Sequence, residues 1–396
     1  MDYLFVSAPE NIAWVLNIRG YDNPHSPIPN CRLLISKTGK IYCISNLIKL
    51  KKIIKEKKLK RENVIQIKDF KIFVKKLNNK RIVIDKKSCS LYYENLFKEK
   101  AKIFIKEDPI YYLKSIKNRK EIYNMIKSHV IDGVALTRFL YWIQNINKKK
   151  ITEYEAQKKL ESFRRKNKSY LFSSFNTIAG TGANASIIHY RAEKKTSKII
   201  NKKDIFLCDS GGQYNYGTTD VTRTIHFGKP KKYMKDIFTR VLKGHIAVVT
   251  ANLKKFYNGA LIDNLARKNL KDIGLDYEHG TGHGVGFFLN VHEGPQSISK
   301  FNKVKLKEGM VLSNEPGYYN KGKFGIRIEN LIFVDRNKKG LFFENLTLVP
   351  IEKKLINYNE LNKIEKDYLY KYHLNVYSKL FYYLNKVERR WLASFI

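Results

Sequence analysis

The chain has 396 residues, 43% of them hydrophobic, and a formal net charge of +40 from 76 Lys+Arg against 36 Asp+Glu. No run of about 18 apolar residues occurs, so no membrane-spanning helix is predicted. The start, MDYLFVSAPENIAW, carries Asp2 and Glu10 without the basic segment of a signal peptide. The four cysteines, Cys31, Cys43, Cys89 and Cys208, have no CxxC spacing and read as reduced thiols of a cytoplasmic protein.

The length favours two domains. The charge admits a polyanion binder, but Lys, Ile, Asn, Tyr and Phe crowd the chain while Ala is scarce, as an AT-rich genome would impose. The lysines are spread throughout and no aromatic-interleaved binding motif appears. Nucleic-acid binding is therefore expected to be weak, non-specific and lost at moderate salt.

In chain order, CRLLIS, KIYCIS, VIQI and RIVID read as strands within residues 1–106, and LIKLKKIIKEKKLKRE reads as a helix with Leu47, Leu50 and Ile54 on its apolar side. This alternation predicts a small α/β domain, joined by the connector EDPIYYLKSIKN to the rest of the chain. EIYNMIKSHVIDGVALTRFLYWIQ is a strongly periodic helix, and a second covers roughly 152–165. Strands and tight turns are expected over 168–230, helices over 233–273, strands over 275–350 and helix again over 360–396.

The segment IFLCDSGGQYNYGTTDVTRTIHF holds Asp209 and Asp220. A hairpin turning near Tyr214 and Asn215 would set them directly opposite on one face, with Cβ atoms about 5 Å apart. Two carboxylates that close repel unless something positive lies between them. GMVLSNEPGYY places Glu315 before a Pro-Gly turn. FGIRIENLIFV reads as a strand with Arg327 and Glu329 on one face, so Glu329 needs a partner: Arg327 or a metal. In HGTGHGVGFFLNVHEGP, His279 and His283 stand four apart, but glycines at 280, 282, 284 and 286 make a zinc-protease helix costly. Glycine-rich backbone instead permits close approach to a ligand or metal. Asp209, Asp220, Glu315 and Glu329 with an imidazole form a hard, oxygen-rich set that suits Mn, Co, Fe or Zn. Four carboxylates exceed the needs of one ion and fit two, about 3.5 Å apart.

These motifs resemble the methionine aminopeptidase, prolidase and creatinase superfamily, M24, of the pita-bread fold. DSGGQYNYGTTDVTRT, VLKGHIAV, DYEHGTGHGVGFFLNVHEGP, SNEPGYY and FGIRIEN are similar to the large, eukaryotic-cytosolic-like subtype of the aminopeptidase P (Xaa-Pro aminopeptidase) family, as is NIAWVLNIRGYDNPHSPI. The resemblance implies an α+β chain: a creatinase-like α/β domain over 1–106, a pita-bread catalytic domain over 107–350 and a helical segment over 351–396. It implies Asp209, Asp220, His283, Glu315 and Glu329 as metal ligands. Asp220 and Glu329 would bridge two ions per chain, usually Mn(II). His189 would contact substrate, His279 and His292 would assist proton movement and hold the scissile carbonyl, with Glu315 as a second proton carrier, and Arg327 would orient a ligand from behind.

The implied activity is release of the residue before an N-terminal-side proline from a peptide. In relatives of this subtype two creatinase-like domains precede the catalytic one, and this sequence starts where the second begins. The first is associated with dimer contacts and with shaping the entrance, so a homodimer and the substrate length limit both stay open. Two alternatives stand beside this reading. A prolidase-like dipeptidase would be separated by a dipeptide-versus-tripeptide assay. A metal-free pita-bread binding module would be separated by metal analysis.

Overall fold

The apolar runs of the first hundred residues pair into one six-stranded sheet. Its strands are β1 (Tyr3–Val6), β2 (Arg32–Ser36), β3 (Ile41–Ile44), β4 (Val64–Ile65), β5 (Arg81–Ile84) and β6 (Lys102–Ile105), in the order β4-β3-β2-β1-β5-β6. β1–β2 and β2–β3 are antiparallel, while β3–β4, β1–β5 and β5–β6 are parallel. Neighbouring residues in these strands are apolar on both sides. Phe5, Leu34 and Ile44 pack into one core and Val6, Leu33 and Cys43 into another. A sheet covered on both faces reads as continuous apolar runs rather than as alternation.

The computed structural model describes residues 1–146 and 150–396 and divides at Lys114/Ser115. Within the first unit the helices are α1 (Pro9–Val15), α2 (Leu47–Lys55), α3 (Phe70–Lys75) and α4 (Leu91–Lys98), and α5 (Pro109–Ser115) runs to the division. Two expectations change here. The helix predicted across 47–62 ends at Lys55, because the lysine-rich continuation has no apolar stripe to bury and Lys57 takes φ 60°. The connector 107–118 folds as α5 over most of its length.

The second unit repeats one pattern twice: two helices, then strands. The first pair is α6 (Arg119–Asn145) and α7 (Glu153–Arg164), followed by β7 (Tyr170–Ser173), β8 (Ile178–Thr181), β9 (Ile205–Ser210), β10 (Gly212–Tyr214), β11 (Gly217–Thr218) and β12 (Val221–His226). The second pair is α8 (Lys232–Val249) and α9 (Gly259–Lys271). Its strands are β13 (Gly282–Gly284), β14 (Glu293–Ile298), β15 (Val311–Asn314), β16 (Gly317–Asn320), β17 (Phe324–Arg327), β18 (Asn330–Asn337) and β19 (Gly340–Asn345). Helices α10 (Lys363–Leu380) and α11 (Lys386–Ala393) close the chain. The strands form the sheets β12-β9-β8, β11-β10-β7, β14-β13-β15-β18-β19 and β16-β17. Capping boxes set the helix starts. Asn118 with Glu121 opens α6 and Thr152 with Glu155 opens α7.

Arg223 on β12 joins these pieces. It is 2% exposed, and its guanidinium donates to Pro350 O (3.0 Å), Thr222 O (2.8 Å), Glu329 O (2.6 Å), Val349 O (2.7 Å), Asn330 Oδ1 (2.8 Å) and Tyr372 Oη (2.9 Å). One cation thereby fixes β12 against the start of β18, the segment 349–350 and helix α10.

His373, also buried, accepts the Ile351 backbone N–H through Nε2 at 3.1 Å. Burial, with Arg223 and Lys353 adding to it, pulls this imidazole down to about 4 from 6.5. A depressed histidine pKa means that the unfolded chain binds more protons between those values, so stability is lost as pH falls from about 6.5 to about 4. The difference in unfolding free energy between the native protein and H373Q should therefore shrink across that window, by on the order of 3 kcal/mol at most. Urea unfolding at pH 7, 5.5 and 4 reads this, and a pH-independent difference would contradict it.

Candidate metal centre

The predicted residues come from five separate stretches. Asp209 is the penultimate residue of β9 and Asp220 precedes β12; these strands pair antiparallel with Asp209 opposite Thr222 and Ser210 opposite Val221. The chain reverses at Asn215–Tyr216, between the paired Tyr214 and Gly217. The two aspartates are therefore diagonal neighbours on one face, not directly opposed as the symmetric hairpin predicts. A Cβ on Gly217 would run into the sulfur of Met125 on α6. The crest lies one residue later than the spacing alone suggests.

His283 sits at the centre of β13, flanked by Gly282 and Gly284, where a Cβ would strike Ser313 O and Gln296 Nε2. The glycines let three strands close tightly around the histidine, which is why this stretch is a strand and not a helix. Its backbone N–H donates to Ser313 Oγ at 2.9 Å, and Ser313 Oγ donates to Glu315 Oε1 at 3.0 Å. Nδ1 of His283 meets Gly284 O at 2.9 Å, which assigns the proton to Nδ1 and leaves Nε2 a lone pair. That lone pair faces Asp220 Oδ2 and Glu315 Oε1, each at 3.5 Å.

Glu329 does not share a strand face with Arg327. The chain leaves the ladder at Ile328–Glu329, where Ile328 N donates to Pro316 O and Glu329 N to Thr222 O. Glu329 Oε2 accepts from Thr222 Oγ1 at 2.8 Å. Arg327 instead pairs with Asp209, Nη2 to Oδ2 at 2.6 Å, and also donates to Tyr319 Oη (2.6 Å) and Thr222 Oγ1 (3.1 Å). The expected Arg327–Glu329 pair is thus replaced by Arg327–Asp209, because the kink between β17 and β18 turns the two side chains to different partners.

All nine predicted site residues line one cavity of about 580 Å³: Asp209, Asp220, His283, Glu315, Glu329, His189, His279, His292 and Arg327. Both ring nitrogens of His279 are engaged, Nδ1 with Gly280 O (2.8 Å) and Nε2 with Tyr319 Oη (2.8 Å). Burial and Arg327 hold its pKa down at about 4. His292 opens onto the cavity and packs edge-on against His283, with ring centroids 4.1 Å apart. Loss of solvation and the neighbouring His283 pull it down to about 4 as well. Beside it, Glu293 forms a buried ion pair with Lys117 at 2.6 Å, which anchors the segment carrying His292.

The donor set fits divalent cations. Among the described residues lining the cavity, four carboxylates face a single buried guanidinium, that of Arg327. Burial raises the pKa of Asp220 and Glu329 well above the ordinary range and that of Glu315 less far. Asp209 and Glu315 add to the rise at Asp220, and Asp220 adds to that at Glu329. Asp209 Oδ1 is buried with no hydrogen-bond partner among the described residues. Ligand atoms of Asp220, His283 and Glu329 lie within 4.8 Å of one another. An orphaned carboxylate oxygen, an imidazole lone pair aimed at carboxylates and crowded acids are all relieved by cations at this place.

Sequence reasoning missed the supports. Tyr319 links His279 to Arg327, and Thr222 links Arg327 to Glu329. Glu153, fully buried at the first turn of α7, accepts from Thr181 N (2.7 Å), Tyr190 Oη (2.7 Å), Lys198 N (2.9 Å) and Asn184 Nδ2 (3.0 Å). It holds both flanks of the loop that carries His189. No local signal marks Glu153, because its donors lie on a loop later in the chain.

A cluster of four carboxylates and an imidazole, opening on a cavity with three more histidines, defines the class as a protein with a candidate metal centre. Residues 123–336 match the model of metallopeptidase family M24, residues 1–121 the creatinase/prolidase N-terminal domain and residues 339–394 the C-terminal region of peptidase M24. The chain belongs to metallopeptidase family M24, with a creatinase-type N-terminal domain, a pita-bread domain and a C-terminal segment.

Among its relatives, Xaa-Pro aminopeptidase 1 of Dictyostelium discoideum is 39% identical over 416 residues, covering 99% of this chain and 65% of that protein. Aminopeptidase P2 of Arabidopsis thaliana is 37% identical, covering 95% and 59%. The chain therefore spans less than two thirds of the length of these two relatives. An X-prolyl aminopeptidase of Caenorhabditis elegans, described as a cytosolic enzyme with a di-nuclear active site, superposes with TM-score 0.90 at 31% identity, over 99% of this chain and 67% of that one. Prolidase from Pyrococcus furiosus gives TM-score 0.72 at 26% identity, over 88% and 96%. No helix among the described residues is long and apolar enough to cross a membrane.

Proposed function

We propose that this protein is a metal-dependent exopeptidase that releases the N-terminal residue from peptides with proline in second position. The observation that carries the proposal is the convergence of Asp209, Asp220, His283, Glu315 and Glu329 with three further histidines in one cavity. The relatives named Xaa-Pro aminopeptidase and the di-nuclear X-prolyl aminopeptidase support the substrate class and a two-ion centre. The five residues would hold the ions, and the oxygen-rich set suits Mn(II). Bound divalent cations supply Lewis acidity toward a carbonyl and activate water at neutral pH.

The chain's own residues do the rest. Arg327 and Thr222 orient Asp209 and Glu329 from behind. Arg327 donates to Tyr319 Oη, so that hydroxyl donates to His279 Nε2, and His279, kept neutral, holds its ring fixed beside the cavity. His292, neutral and open to the cavity, hydrogen-bonds the scissile carbonyl, and His189, on the same cavity lining, contacts the substrate. Glu315 is the proton carrier, its Oε1 held by Ser313. The X-Pro amide has no N–H, so selectivity rests on shape around the pyrrolidine ring.

Calorimetric titration of metal-free protein with Mn(II) tests the centre: close to two ions per chain are expected, and none would refute it. Parallel assays on Xaa-Pro and Xaa-Pro-Xaa peptides separate an aminopeptidase from a dipeptidase. Glu153 acts by position. E153Q should raise KM about tenfold with metal stoichiometry unchanged, since an amide nitrogen would face donors where an oxygen accepted them. A loss of metal in step with activity would show that Glu153 supports the ligands instead.

A further inference from the structure

The cavity that holds the metal centre has a second chamber at its rim. A cavity of about 490 Å³ shares Asn176 and Arg191 with it, and both shared residues are exposed. One side of this chamber is helix α7 and the other is the segment 191–194, tied together where Gln157 Nε2 donates to Ala192 O at 3.1 Å. The tie makes the chamber a fixed groove between two anchored walls.

Its lining is basic. Of its cations, Arg165 is already paired with Glu161 at 3.0 Å. Among the described lining residues, Lys158, Arg191 and Lys194 remain, against the carboxylate of Glu193, and Lys158 rests over the Tyr154 ring with Nζ 5.4 Å from the centroid.

An exopeptidase that removes one residue keeps a single residue on the amino side of the cut. All remaining substrate lies on the carboxyl side and must leave through the mouth. We infer that the chamber lined by Lys158, Arg191 and Lys194 receives the carboxyl-side residues of the peptide, and that it selects peptides carrying acidic side chains a few positions beyond the proline. The inference rests on the proposed activity. An extended chain advances about 3.3 Å per residue, so a fixed chamber meets only one or two substrate positions. A charge preference arising there depends on position, whereas attraction to the overall positive charge of the chain does not.

The test uses the full chain loaded with Mn(II) and amidated Ala-Pro-Gly-Gly-Gly-Gly peptides, with one glycine replaced by Asp or Lys at each of positions 3 to 6. At one or two adjacent positions Asp should exceed Lys in kcat/KM by about three- to tenfold, mainly through KM, as expected for two or three solvent-facing charge contacts. At about 0.5 M salt the preference should fade. In K158E/K194E the Asp-to-Lys ratio should drop to one or invert, and because each variant supplies its own ratio a loss of overall activity does not confuse the reading. A ratio near one at every position overturns the inference, as does a preference equal at all positions or unchanged in the double variant. If the unsubstituted peptide is not cut, the proposed activity has failed. The same ratio is then read from the Kd of fluorescent versions of these peptides, where a positional Asp preference lost in K158E/K194E supports the chamber and a flat one overturns it.

Discussion

Asp220→Asn should abolish metal-dependent peptide hydrolysis and leave the metal-free protein at least as stable as the native one. Asp220 is 4% exposed, and burial together with Asp209 and Glu315 opposes its ionisation. With no cation present, its charge is a cost that an amide of the same shape does not carry. With cations present the balance would reverse, because a neutral amide oxygen is a weaker ligand for a divalent cation than a carboxylate. We expect kcat/KM to fall at least about a thousandfold, equivalent to about 4 kcal/mol of transition-state stabilisation. The rise in unfolding temperature that saturating Mn(II) gives the native protein should be largely lost in the variant. Thermal unfolding of both proteins with and without Mn(II), beside a peptide assay, measures all three quantities. A variant that unfolds earlier than native in the absence of metal, or that keeps the full metal-induced shift, would remove Asp220 from the centre.

Arg223→Met should be the most destabilising single substitution away from the ligands. The arginine satisfies four backbone carbonyls and two side-chain oxygens in a dry environment. Methionine fills much of the volume but leaves Pro350 O and Glu329 O buried without a donor among the described residues, while Thr222 O keeps the Glu329 N–H and Val349 O keeps the Tyr372 hydroxyl. At about 1–3 kcal/mol for each unsatisfied buried group, the loss should be at least about 2 kcal/mol. The freed Glu329 O belongs to a candidate ligand residue, so metal affinity should fall as well. Arg223→Lys, a point charge without the planar fork, should recover only part of the loss. Urea unfolding with metal removed separates stability from affinity. A variant within about 1 kcal/mol of native would mean that water or repacking replaces these bonds.

Much of the site was legible because its chemistry is written in residue types. Four acids and a histidine in glycine- and turn-rich stretches exclude a helix at His283 and call for a cation. What the sequence withheld is geometry set by distant contacts. The diagonal offset of Asp209 and Asp220 follows from where the hairpin turns, at Asn215–Tyr216, which the spacing of the two acids does not fix. The Arg327–Asp209 pair depends on a break in the ladder at Ile328–Glu329 that alternation of side chains does not reveal. Glu153 looked like an ordinary helix-start acid, since nothing local indicates that a loop some 30–45 residues on will donate to it. In the N-terminal unit, β1 and β6 escaped because four-residue apolar runs beside charged residues carry little periodic signal, whereas the parallel partners that stabilise them lie far along the chain. Long amphipathic helices such as α6 were plain for the opposite reason.

The most direct test of the account is product analysis by mass spectrometry on one peptide of six residues with proline second, incubated with the full chain, with Mn(II) and then with excess chelator. The account predicts release of the first residue alone and a pentapeptide that begins with proline, no cleavage of the same peptide with alanine in second place, and no product after chelation. Internal cleavage, equal cleavage of the alanine peptide, or turnover that survives chelation would contradict it.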